Sequence, residues 1–432
     1  QTAPGDCGGP LVAHCNNLSS KILGIHAAGI RGRGFATAIT KEFLESKLPH
    51  DTFEILAPDL EVQCNEMIHP NDQVAYYGQV PKEYCYVTPT RSTIAPSLIH
   101  DSLKKHEEFT PKKCPVILHR RKQPDGSYFY PMRQQIEKQF VPAIVFPKQD
   151  VEEAYINLRD KILSMSSPYT CEKILLTEHV NLNGIEANEH FPAMNHKKAP
   201  GYPWNFHIKN RGKADLLIGE PGSFTLRDDI RVYLNEIEKE FSEFKIRPFM
   251  WADCMKDEKL PIEKVASGKV RVFNVSPFEL LYLTRKYFGV FIAHLSANKL
   301  GEVSVGVNVH SRDWDQIKED LKTHERNLDG TVRDRYLMCG DYSNYDKRLP
   351  WCLISKVCQI VNDWYNDGEE NARIREAIFI STFNAFHIAG TAVYRVMQGN
   401  PSGCGITAQI NSMVNSMYAR IVYAGLGRDQ NP

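Results

Sequence analysis

Apolar positions recur at helical spacing in "DVEEAYINLRDKILSM" (150–165), "LRDDIRVYLNEIEKEFS" (226–242) and "LPWCLISKVCQIVNDWY" (349–365), and each stretch predicts an amphipathic helix. Extended patterns interrupt them: "RPFMWADCMKDE" (247–258), "KVRVFNVSP" (269–277) and the short apolar "RYLMCG" (335–340) read as strands. In "QGNPSGCGITAQINSMVNSMYARIVYA" (398–424) a proline- and glycine-rich loop leads into a helix on which Ile406, Ile410, Met413, Val414, Met417 and Ile421 share one apolar face. Near the start, "PGDCGGPLV" (4–12) runs into an apolar strand, and "KILGIHAAG" (21–29) and "GFATAIT" (34–40) read as two more. From about residue 72 the two periodicities alternate irregularly, without repeats or low-complexity tracts, which predicts an α+β fold. The stretch 46–71 is rich in charge and proline and weakly periodic, so it reads as a linker or processing region between 1–45 and 72–432.

Composition narrows the functional classes. A chain of 432 residues that is 42% hydrophobic can bury a sizeable core. Its 52 basic and 52 acidic side chains cancel, so any affinity for nucleic acid must come from local patches. Such cationic patches occur at 112–123, 196–204 and 208–213, with the aromatics Tyr202 and Trp204 in the second. Eleven cysteines without a C-x-x-C pair argue against a zinc site and a disulfide framework, and fit a reducing compartment. The most apolar long window, 279–297, is broken by Arg285 and Lys286, so no membrane span is expected.

Two separate sets of residues carry candidate chemistry. "PGDCGGPLV" sets Cys7 in a glycine-rich turn whose backbone N–H groups can converge on an oxyanion, with His26 at the end of the following strand. A cysteine nucleophile needs a base and an orienting acid, and neither stands in this stretch, where His14 reads as structural. The second set is longer. "CMKDEKLPIEKVASGKVRVF" (254–273) places Lys256, Lys259, Lys264, Lys269 and Arg271 on two extended stretches joined by a loop, with Lys269 and Arg271 on one strand face, a cation surface suited to a polyphosphate. Asp341 follows the 335–340 strand at its carboxyl end, and Asp346 falls in the turn before the next helix. Off the apolar face of the 398–424 segment lie Ser402, Gly403, Thr407 and Asn411, polar groups able to read a sugar hydroxyl; helix capping by Ser402 is the structural alternative.

The first forty residues resemble the C-terminal half of the chymotrypsin-like cysteine proteases of picornavirus-like polyproteins. That resemblance implies Cys7 as nucleophile, the Gly5 and Cys7 backbones as oxyanion hole, His26 as reader of a glutamine side chain, and a base and acid preceding Gln1, with Gln63 or Gln79 as candidate junctions. From about 72 to the end, the order of cationic segment, D-x4-D and P-S-G-x-x-x-T-x-x-x-N resembles the RNA-dependent RNA polymerases of picornavirus-like viruses of the dicistrovirus and iflavirus type. This second resemblance implies a right-hand polymerase fold, fingers and partial palm. Asp341 would bind the catalytic Mg2+ or Mn2+ and Asp346 would contact the ribose. Lys256, Lys264, Lys269 and Arg271 would hold the triphosphate, and Ser402, Thr407 and Asn411 would recognise the 2′-hydroxyl. Gly201, Tyr202 and Pro203 of "APGYPW" would guide template and primer. It also implies an adjacent-aspartate hairpin and a thumb downstream of Pro432, without which the chain alone is expected to be inactive. The implied partners are RNA template and primer, nucleoside triphosphates and other viral replication proteins, in a replication complex of the host cytoplasm. A processing protease with an RNA-binding extension, and a non-catalytic RNA-binding replication module, are the rival readings.

Overall fold

The computed structural model describes residues 10–12, 22–30, 33–38, 54–55, 74–106, 111–206, 212–299, 303–323 and 340–427. The chain separates into two compact units, Gln1–Glu54 and Ile55–Pro432. In the first, Pro10–Val12, Ile22–Ile30 and Arg33–Ala38 form a three-stranded antiparallel sheet in which His26 pairs with Ala36. Gly5, Cys7 and His14 lie outside the described residues.

The second unit is built on a five-stranded sheet ordered Val272–Val275, Met250–Met255, Ala385–Ala389, Ala392–Val396, Val74–Gln79. All neighbours are antiparallel except Met250–Met255 and Ala385–Ala389, which run parallel. The sheet therefore joins segments more than a hundred residues apart, and its centre is apolar: Trp251, Ala252 and Ile388 are buried.

Helices cover the sheet and form the larger core. Phe278–Ala297 carries apolar side chains around most of its circumference because neighbours enclose it: Phe288 meets Phe379 of Glu369–Phe383, and Phe291 meets Trp364 of Trp351–Tyr365. No helix among the described residues is long and apolar enough to cross a membrane. Lys148–Ser164 and Asp228–Ser242 form where periodicity predicts them. Thr407–Gly425 buries Ile410, Met413, Val414 and Met417, whereas Ile421 near its end is only half-buried. It packs on Lys148–Ser164, where the buried Arg420 donates to Asn157 Oδ1 at 2.6 Å. The strand expected at 335–340 lies outside the described residues apart from Gly340.

The cationic segment departs from expectation. Met250–Met255 does pair with Val272–Val275, and Lys256 N–H extends the ladder to the Arg271 carbonyl at 2.8 Å. The intervening residues do not form a simple loop: Lys259–Pro261 pairs with Lys113–Pro115, and Lys264 rides on the short helix Ile262–Ala266. Proline at 261 permits this, since it starts a helix readily and stands where a strand must stop.

Candidate functional site: a polar cleft between sheet and loop

Asp253 is an acid in an otherwise apolar strand, so its complete burial requires donors. Three groups meet it. Tyr394 donates its hydroxyl to Oδ2, Asn274 Nδ2 donates to Oδ1 at 2.6 Å, and His387 Nδ1 lies 3.0 Å from the same oxygen. Strand register brings them together, because Asn274 is the cross-strand partner of Asp253, and His387 is that of Tyr394, with their rings stacked 5.2 Å apart. Asn274 then reaches the 399–405 loop: its backbone N–H donates to Ser402 Oγ, and its Oδ1 accepts from Ser402 N–H, both at 3.2 Å. A Cβ at Gly403 would collide with the Asn274 carbonyl oxygen, so this close approach of loop to sheet needs glycine there. Ser402 thus anchors the loop to the sheet and is not the cap of the following helix, whose first turn has no side-chain cap.

Above this floor lies a small open cleft, lined among others by Gln139, Asn274, Asp346, Lys347, Gln398 and Asn400. Asp346 sits in the short 3-10 turn Tyr345–Lys347, entered through Asn344 in the left-handed region (φ 57°), and its carbonyl accepts from Asn400 N–H at 2.6 Å. Tyr345 donates to the Asn411 carbonyl at 2.8 Å, and Asn400 Nδ2 donates to Asn411 Oδ1 at 2.8 Å and to the Thr407 carbonyl at 3.1 Å. Asp346, Asn274 and Asn400 line the cleft; Thr407 and Asn411 are bonded to Asn400, and Ser402 to Asn274, so these segments are tied to one cleft wall. The Thr407 hydroxyl itself is committed to the loop, bonding the Cys404 and Pro401 carbonyls at 2.8 and 3.0 Å. Lys347 donates to the Gln135 carbonyl at 2.6 Å, and Gln398 bonds the backbone at Ala143, Val141 and Lys347, so 131–143 is stitched to the same rim.

Lys256, Lys264, Lys269 and Arg271 are all exposed on the cationic side, and they are not equivalent. Arg271 forms a two-pronged ion pair with Glu258, and Lys256 Nζ lies 3.9 Å from the same carboxylate. The Arg271 guanidinium holds the Glu258 carboxyl below its usual range. Lys264 contributes its carbonyl to Lys269 N–H at 2.9 Å, fixing the loop that presents Lys269. Lys138, a cation that spacing did not single out, is half-buried; burial and then the neighbouring Lys269 push its ammonium below the usual lysine range. It donates to Gln135 Oε1 at 2.7 Å.

Asp341 is exposed, and the next residue is pinned to the last helix by a bond from Tyr342 Oη to Asn415 Oδ1 at 2.9 Å. A lone exposed carboxylate is a chemically suitable ligand for a hard divalent cation. Among the described residues no group of three or more His, Cys, Asp and Glu side chains is placed to hold one, so Asp341 fits as a single member of a ligand set.

In the 199–204 loop, Gly201 and Tyr202 are buried and Pro203 is exposed. Gly201 has φ 84°, and a Cβ there would strike the Ser276 carbonyl oxygen. Tyr202 packs into the sheet's apolar cluster with Ala252, Phe386 and Val393, so its ring anchors the loop instead of facing an RNA strand. Trp204 Nε1 donates to Glu279 Oε1 at 2.6 Å, and burial pushes the Glu279 carboxyl up to about 7.

With this geometry in place, the comparisons are specific. The family model of viral RNA-dependent RNA polymerases matches residues 105–430. The chain belongs to the viral RNA-dependent RNA polymerase family. It is similar to the replicase polyproteins of Acute bee paralysis virus (strain Rothamsted), 30% identical over 98% of this chain and 22% of that protein, and of Cricket paralysis virus, 27% identical over 100% and 25%. The chain thus spans a quarter or less of these curated relatives. Among solved structures, the Sicinivirus 3Dpol RNA dependent RNA polymerase superposes with a TM-score of 0.61 at 18% identity, covering 82% of this chain and 67% of that one, which establishes the α+β polymerase fold.

Proposed function

We propose that the cleft selects the incoming ribonucleotide during template-directed RNA synthesis. The observation that carries this reading is the bonding of three separate segments at one cleft wall: Asn400 N–H to the Asp346 carbonyl, Asn400 and Tyr345 to Asn411, and Asn274, which lines the cleft with Asp346 and Asn400, to Ser402. A carboxylate, a hydroxyl and a carboxamide around a small cleft suit a sugar hydroxyl, which must donate and accept at once. Lys256, Lys264, Lys269 and Arg271 bind the triphosphate, with Lys138 behind Lys269, and the exposed tip of the 199–204 loop meets template or primer. Asp341 would be one ligand to Mg2+ or Mn2+, which when bound supplies charge neutralisation at the reacting phosphates. In the first unit, Cys7 and His26 belong to a glutamine-directed cysteine protease. The setting is a host-cytoplasmic replication complex.

Two substitutions in the polymerase carrying this chain test the reading. Asn411→Ala is expected to lower the preference for ribo- over deoxynucleotides in competition assays, because polar groups built around a hydroxyl are left unpaired without it. Asp341→Asn is expected to reduce incorporation by a factor of about 10² to 10³ while leaving the fold intact. An unchanged sugar preference in the first, or near-normal elongation by the second, would remove the corresponding assignment.

A further inference from the structure

We propose that Asn400 is a positioning residue that fixes which end of the Asn411 amide faces the sugar; this inference rests on the ribose reading of the cleft. Asn400 stands two residues before Ser402 and is 4% exposed. Its Nδ2 serves two acceptors, Asn411 Oδ1 and the Thr407 carbonyl. The second settles the orientation, because a backbone carbonyl cannot donate: turning the Asn400 amide round would press two acceptors together. The orientation is held at a cost, since Asn400 Oδ1 is buried without a partner among the described residues.

Polarity then propagates outward. With Asn411 Oδ1 turned to Asn400, the Asn411 Nδ2 group is the end left without a partner among the described residues. Ser402 is polarised in the same sense: its Oγ accepts from Asn274 N–H, so its own proton remains to be donated. The cleft lining offers one acceptor, the Asp346 carboxylate, and the residues bonded to that lining carry two donors, Asn411 Nδ2 and Ser402 Oγ–H. A hydroxyl answers all three. A 2′-hydrogen answers none, and a 2′-fluorine accepts weakly and cannot donate.

The test compares ribo-, 2′-deoxy- and 2′-fluoro-nucleotide incorporation by the polymerase carrying this chain. Asn400→Asp sets an acceptor against Asn411, turning that amide so that its oxygen faces the sugar. The ribo/deoxy ratio should fall about tenfold, the loss of one well-made hydrogen bond. Incorporation of the 2′-fluoro substrate should fall below that of the 2′-deoxy substrate, because oxygen then faces fluorine. Adding Asn411→Ala to Asn400→Asp should lower the ribo/deoxy ratio no further, since both changes act through one amide. Asn400→Ala, which frees Asn411 without inverting it, should give a smaller fall. An equal loss for all three sugars, or an unchanged ratio in folded Asn400 variants where Asn411→Ala shifts it, overturns the positioning role alone. An unchanged ratio in Asn411→Ala overturns the ribose reading and this inference with it. Should neither Asn400 variant fold, the native enzyme decides: 2′-fluoro accepted better than 2′-deoxy supports the donor-facing amide, and the reverse ranking overturns it.

Discussion

Asp253 and Glu279 are both carboxylates sealed inside the second unit, one beneath the cleft and the other beneath the 199–204 loop, and their surroundings differ. Asp253 is met by Tyr394, Asn274 and His387. Glu279 receives one side-chain donor, Trp204, and its Oε2 has no hydrogen-bond partner among the described residues. The number of donors that converge on a buried acid decides how firmly it is held in place. The floor of the cleft is accordingly a fixed polar joint that carries position from the sheet to Ser402. The contact under the 199–204 loop can change its charge near neutral pH.

The sharpest way to break this comparison is Asp253→Ala. The substitution strands a tyrosine hydroxyl, a histidine and an asparagine amide in an apolar setting, so it should cost about 3–5 kcal/mol of stability, as breaking other buried polar clusters does. Urea unfolding would measure it, and a loss below about 1 kcal/mol would mean that water or rearrangement satisfies those groups.

Glu279→Gln sharpens the other side. Its folded pKa of about 7 stands above the ordinary 4.5, so between those values the folded state binds the more protons. Stability from this group is therefore greatest below about pH 4.5, falls as pH rises, and levels off above about 7, a total of about 3 kcal/mol at about 1.4 kcal/mol per pH unit. The amide keeps an acceptor for Trp204 and removes the titration. The variant should match the native protein near pH 4 and exceed it in stability at pH 8. Parallel pH profiles for the two proteins would show that Glu279 stays charged when folded.

The same contrast explains what the sequence made legible. Periodicity exposed the Thr407–Gly425 helix because its apolar stripe repeats every turn, and the motif spacing marked Asp346, Ser402 and Asn411 because each lies within a few residues of a recognisable loop. Asp253 was equally visible as a lone acid in an apolar strand, but its partners His387 and Tyr394 stand 134 and 141 residues away, a distance on which local spacing carries no mark. Asn274 and Lys138 escaped for the same reason, being defined by contacts across the fold; Asn400 stands in the recognisable loop, 7 and 11 residues from Thr407 and Asn411, and only the bonds it makes there single it out. The cationic segment reads from its sequence as two extended stretches joined by a loop, whereas the joining residues pair with Lys113–Pro115 at Lys259–Pro261 and then form the helix Ile262–Ala266, a diversion set by a distant partner.

The smallest effect on stability is expected where charges face water, and there the comparison turns from stability to binding. Glu258 holds Arg271 in a two-pronged pair and lies near Lys256, while the Arg271 side chain remains 58% exposed. The Glu258 side chain is itself only 13% exposed, but pairs whose cation stands in solvent contribute up to about 1 kcal/mol, because solvent screens them and ordering a long side chain opposes them. Glu258→Gln should therefore shift the unfolding midpoint little, in contrast to Asp253→Ala. It also removes the anion that competes with a triphosphate for Lys256 and Arg271. Nucleotide titration should show affinity rising about three- to tenfold at low salt, with the gain shrinking as ionic strength increases, since the added attraction is screened over about 8 Å at physiological salt. If affinity instead falls, Glu258 is needed to orient Arg271, and the cationic rim is as fixed a device as the cleft floor.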